Sequence, residues 1–126
     1  MSEISRKLLL MQIDGLNNEI KARGKNLTDW TSLFNRLSIF KNKKWEIENI
    51  DLPYLAVVTF SSSDEASSVF NTFVRKSIPV STWPDLAPEV LSQPEKYKSA
   101  ISLRNRRIFF PVHSSVDVQS IKLNSI

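Results

Sequence analysis

The chain has no cysteine, a single histidine and only two glycines among its 126 residues. Without cysteine there is neither a disulfide nor a thiolate metal site, and His113 alone is too little imidazole for a structural zinc centre. Gly15 and Gly24 both fall inside a helix-periodic segment, so no glycine-rich loop is left to cradle a phosphate. One histidine and no nucleophile elbow leave a Ser/His/Asp hydrolase without its parts. No stretch approaches the ~18 uninterrupted apolar residues of a membrane span; Leu8-Leu9-Leu10-Met11 is too short, and the residues before it lack the layout of a signal peptide. The expectation is a cytoplasmic protein with no membrane partner.

What remains is ordinary globular material, 41% apolar and 24% charged, enough for one core in a single domain spanning residues 1–126. The net charge is +4. Its densest groups are Lys41, Lys43 and Lys44, and Arg104, Arg106 and Arg107. Neither group is interleaved with stacking aromatics, so solvated basic loops are the favoured reading and nucleic acid the disfavoured one. A small basic nucleic-acid-binding or regulatory protein is the alternative, and it requires the two groups to share a face.

Ile13, Leu16, Ile20, Leu27, Trp30, Phe34 and Leu37 recur at three- and four-residue steps, with Arg23 or Gly24 in the one gap. That spacing predicts a long helix within residues 1–38, capped by Ser2 or Ser5. Gly24 is a weak point in it, and a break at 24–26 is the alternative. Residues 38–44 read as loop and Trp45–Ile47 as a short strand. Tyr54–Phe60 is apolar throughout, as in a central strand covered on both faces. Ser62 and Glu65 have the spacing of a capping box and open a helix over 64–76, whose buried face is Ala66, Val69, Phe70, Phe73 and Val74.

A strand at 79–83 follows, in a strand-helix-strand connection that allows a parallel pair with a right-handed crossover. Then come a helix near 94–104, a strand at 108–112 that Pro111 confines to an edge or an end, and a weak helical turn over 117–123. The fold class is α+β: the long N-terminal helix plus a small mixed sheet of three or four strands within residues 45–126, covered by helices.

From Ile78 onward the order is Ile78-Pro79-Val80, Trp83-Pro84-Asp85-Leu86, Pro88-Glu89-Val90-Leu91, a helix, then Phe110-Pro111-Val112-His113. This order resembles the C-terminal small domain of pyridoxal-phosphate-dependent aminotransferases of the DegT/DnrJ/EryC1/StrS type, which have the fold of type I transferases. The helix before it, with Arg23 partway, resembles the helix that crosses toward that domain. The resemblance covers most of the chain but only one domain of such enzymes. It implies an isolated or truncated C-terminal domain of a sugar aminotransferase of surface polysaccharide biosynthesis, acting on nucleotide-linked keto-sugars only in a complete enzyme. The family's lysine, acid and phosphate cradle lie in its large domain, and none is recognisable here.

The expectation is therefore no catalytic residue, no cofactor-binding residue and no metal ligand in this chain, with pyridoxal phosphate belonging to the full-length family. Partners implied are a second copy or a cofactor-binding large-domain chain, meeting an apolar surface along the helix 13–37 and around Trp83. Four residues are candidates for proximity to a substrate. His113, the one imidazole, follows a strand end, where a hydrogen-bonded structural histidine is the favoured alternative. Trp83 is either a lid or filling for this domain's own core, and core filling is favoured. Ser81 projects from a strand end. Arg104, with Arg106 and Arg107, has the geometry to grip a diphosphate.

Overall fold

A computed structural model describes residues 2–51, 53–83 and 85–121. The long helix is continuous: α1 runs from Glu3 to Arg36, capped by Ser2, whose side chain accepts from the Ser5 amide, and it passes through Gly15 and Gly24 without a break. At about 1.5 Å per residue it is about 51 Å long, more than a domain of this size can cover. Only its C-terminal third, with Asn26, Trp30, Leu33 and Phe34, is buried. A 3-10 turn at Ser38–Phe40 and Asn42 at φ 65° then reverse the chain, and asparagine tolerates that left-handed geometry better than most residues.

The sheet has three strands, β1 (Trp45–Ile47), β2 (Leu55–Phe60) and β3 (Arg107–Pro111), in the order β1-β2-β3. Both pairings are antiparallel, so the sheet is not mixed. The stretch 79–83 is not a strand: only Ser81 pairs, as an isolated antiparallel bridge to Phe109. The expected parallel crossover fails because β3, an apolar run some fifty residues beyond β2, takes the place beside it and leaves 79–83 the outer edge. β2 is central, as its apolar run suggested, and Pro111 ends β3, where a missing N–H costs least.

The register explains the core. Ala56 faces Phe110, Val58 faces Ile108 and Ile47, and Phe60 faces Trp45, all on the inner side. Onto that side pack Trp30, Phe34 and Leu37 from the α1 end and Ala66, Val69 and Phe73 from α2 (Ser63–Arg75). Phe34 is the hub, its ring 4.6 Å from Phe40, 4.7 Å from Phe110 and 5.5 Å from Trp30. Ser62 caps α2 by accepting from the Glu65 amide, while the Glu65 carboxylate turns to Ser61 and leaves the box half closed. α2 ends in a Schellman pattern, with the Ile78 amide donating to Phe73 and Ser77, at φ 56°, in the position where glycine is usual.

The helix expected over 94–104 forms as one piece but starts and ends later. A short α3 (Pro88–Ser92) precedes a turn, and α4 (Lys98–Arg106) runs directly into β3. Pro94 stops helix growth through Gln93 by disfavouring helical geometry there. The turn expected over 117–123 is a 3-10 turn at Val118–Ser120, and its last two positions lie outside the described residues.

Candidate functional site

Glu19, Arg23, Asn26 and Trp30 follow one another at steps of four, three and four, which aligns them on one stripe of α1. This polar stripe, and not an apolar one, meets the chain that leaves β3. The Trp30 indole donates to the Pro111 carbonyl at 2.7 Å. Asn26, 5% exposed, donates its amide to the carbonyls of Val112, His113 and Val116 at 3.1, 3.0 and 3.0 Å. The Glu19 carboxylate accepts from Arg23 at 2.7 Å and from the Ser114 amide at 3.2 Å. Hydrogen bonds from Ser114 and Arg23, aided by the charge of His113, hold the Glu19 carboxyl down at about 2 although desolvation opposes them. Arg23 also lies over the Tyr54 ring at 5.6 Å. The gap that Arg23 leaves in the apolar pattern thus marks where the helix must satisfy backbone groups instead of burying side chains.

His113 is exposed, and its Nδ1 accepts from the Ser115 amide at 3.1 Å with the Ser115 hydroxyl 3.0 Å away. An accepting Nδ1 places the neutral ring's proton on Nε2, which faces Glu19 at 3.6 Å, beyond hydrogen-bond length. Hydroxyl, imidazole and carboxylate stand in the order of a nucleophilic relay. Yet Nδ1 is already engaged by a backbone donor and the carboxylate is too far to orient the ring, so the group closes a turn.

The other three candidates lie elsewhere. Ser81 exchanges both backbone hydrogen bonds with Phe109, and Trp83 leans on the Phe109 ring at 5.4 Å. Trp83 is 47% exposed and outside the core cluster, so it does not fill the core. The apolar inner face is already complete without it. Arg104 pairs with Asp85 at 3.0 Å, and a shallow cleft of about 150 Å³ between Trp83, Leu86, Ala100 and Leu103 has Arg104 on its rim. Ser81, opposite the middle of β3, and Trp83 and Arg104, toward its start, therefore lie along the outer edge of that strand. His113 lies beyond the far end of that strand, about 13 Å from Phe109 and about 20 Å from Arg107 at the usual strand rise. The four do not form one site.

The largest unsatisfied surface is apolar. Every residue of α1 from 3 to 18 is exposed, and this half carries Ile4, Leu8, Leu9, Leu10, Met11, Ile13 and Leu16. Placed at 100° per residue, six of the seven spread over about 200° of the helix, twice the width of a single core-facing stripe. Arg6, Lys7, Asp14 and Asn17 share the remaining arc with Leu10. Among the described residues no helix is long and apolar enough to cross a membrane, and no group of three or more His, Asp or Glu side chains is placed to hold a metal ion. No protein-family model, curated protein or solved structure matches the chain.

Proposed function

We propose that this chain is an accessory domain without a catalytic centre of its own, of the small-domain type that its sequence resembles, and that it docks on a cofactor-carrying aminotransferase body. The observation that carries the reading is the projecting half of α1. A helix exposed on every side, with apolar residues over more than half its circumference, needs a partner that contacts it from two sides. A domain-sized body does this; one second helix covers only a narrow seam. In such an assembly the domain would contribute position and water exclusion beside the active site, while the partner supplies the lysine and the cofactor. Cytoplasmic sugar-nucleotide metabolism is the setting this resemblance implies.

The test is co-expression with a large-domain chain of that enzyme type from the same genome, followed by sedimentation and absorbance spectroscopy. A stable complex that Leu9→Glu and Leu16→Glu abolish is expected, with the cofactor absorbance arising from the partner. An internal aldimine formed by this chain alone with added pyridoxal phosphate would refute the reading. So would a complex that both glutamate variants leave intact.

A further inference from the structure

In the order β1-β2-β3 with antiparallel pairing, β1 and β3 run in the same direction and both begin where β2 ends. Each begins at one of the two basic groups in the sequence, Lys41 to Lys44 just before β1 and Arg104 to Arg107 leading into β3. The topology therefore brings together residues some sixty positions apart. The Ser61 amide donates to the Lys44 carbonyl at 2.9 Å, and the Arg106 guanidinium donates to the Phe60 carbonyl at 3.4 Å, so Lys44, Ser61 and Arg106 meet at one end of the sheet. A groove of about 540 Å³ opens there, lined by Lys43, Lys44, Ser61, Thr59 and Arg106, with Glu46 as its one carboxylate.

The charges in this groove are unbalanced. Three cations against one lining carboxylate leave it at +2, or +1 when the Glu65 carboxylate bound to the Ser61 hydroxyl is counted, and among the described residues Lys43, Lys44 and Arg106 have no carboxylate partner. Arg106 is held only by backbone carbonyls, those of Ser102 and Phe60, which orient the guanidinium without neutralising it. The two neighbouring arginines of the same basic group are paired, Arg104 with Asp85 and Arg107 with Glu48. Unpaired cations around one groove, with the Thr59 hydroxyl among them, are a receptor for a compact anion, the guanidinium offering a fork and the ammonium groups point charges. The charge is focal and does not extend as a stripe, since Arg104 and Arg107 are spent in pairs and the nearby first turn of α2 carries Asp64 and Glu65. An extended nucleic-acid backbone would need the stripe.

We propose that the groove at the β1/β3 end of the sheet is a binding site for the diphosphate group of a small ligand, with Lys43, Lys44 and Arg106 as its cationic contacts and Thr59 as its hydroxyl donor. Isothermal titration of the full chain with inorganic pyrophosphate and with a nucleoside diphosphate tests this, alongside fluorescence anisotropy with a single-stranded oligonucleotide. One equivalent of pyrophosphate is expected to bind, with about tenfold weakening in each of Lys44→Gln and Arg106→Gln and no change in Lys98→Gln, which lies on α4 away from the groove. Lys44 is exposed at the start of β1, so K44Q keeps the test valid even where R106Q disturbs the fold. Absent pyrophosphate binding, or binding indifferent to K44Q, overturns the proposal. An oligonucleotide that binds while pyrophosphate fails to displace it also overturns it, in favour of a nucleic-acid surface.

Discussion

Replacing Asn26 by alanine removes the group that ties the two ends of the fold together. The amide has two hydrogens and three carbonyl acceptors, so one hydrogen is shared, and the loss is that of about two full hydrogen bonds. The Val112 carbonyl sits at a buried residue and finds no water in exchange, whereas His113 and Val116 lie on a turn that water reaches. With roughly 1–3 kcal/mol for a buried acceptor left alone and about 0.5–1.5 kcal/mol for an ordinary bond, Asn26→Ala should cost about 2–4 kcal/mol. That is a large part of the roughly 5–15 kcal/mol expected of a whole domain.

Asn26→Asp should cost at least as much at neutral pH, because it turns a carboxylate toward three carbonyl oxygens, and it should recover in part on acidification as that carboxylate gains a donor proton. Urea unfolding followed by circular dichroism reads both, as a fall in midpoint at unchanged slope. A loss below about 0.5 kcal/mol for Asn26→Ala, the size of a surface change, would refute the assignment of Asn26 as the clasp between α1 and the chain after β3.

Phe34→Ala should cost about 3–5 kcal/mol in the same assay, since it empties the hub of the aromatic cluster. Glu19 is depressed from its ordinary 4.5 to about 2, so its contribution to stability is complete above 4.5 and disappears as the pH falls through about 2. Glu19→Gln should flatten the pH dependence of the urea midpoint across that window, and an unchanged slope there would contradict the contact with Ser114 and Arg23. Two glycine exchanges should each raise the thermal midpoint. Gly24→Ala restores helix propensity where an added Cβ meets nothing within 4 Å, worth about 0.5–1 kcal/mol. Ser77→Gly relieves a left-handed residue by about 1–2 kcal/mol. Leu9→Glu and Leu16→Glu should leave the unfolding free energy of the isolated domain within about 0.5 kcal/mol of the parent, because both residues are exposed in it.

The local elements follow from local chemistry, and the sequence alone determined them. Heptad-like spacing from Ile13 to Leu37 is a property of one helix, and it survives Gly24 because a single glycine costs less than the packing of Trp30 and Phe34 returns. Ser62 and Glu65 mark a helix start by their own hydrogen bonds, and the apolar run ending at Phe60 marks a central strand. Pairing was not legible in the same way. Whether 79–83 or 108–112 lies beside β2 depends on which apolar face completes the core, a competition between segments some thirty residues apart that no short window registers. Trp83 was pushed to the surface by the outcome of that competition.

Asn26 reads in sequence as one polar residue among helix formers, and only the approach of Val112, His113 and Val116 gives its amide a task. The same holds for Lys44 and Arg106. Each basic group is visible as a cluster along the chain, but charges combine through space, and it is the antiparallel order β1-β2-β3 that sets the two clusters at one end of the sheet.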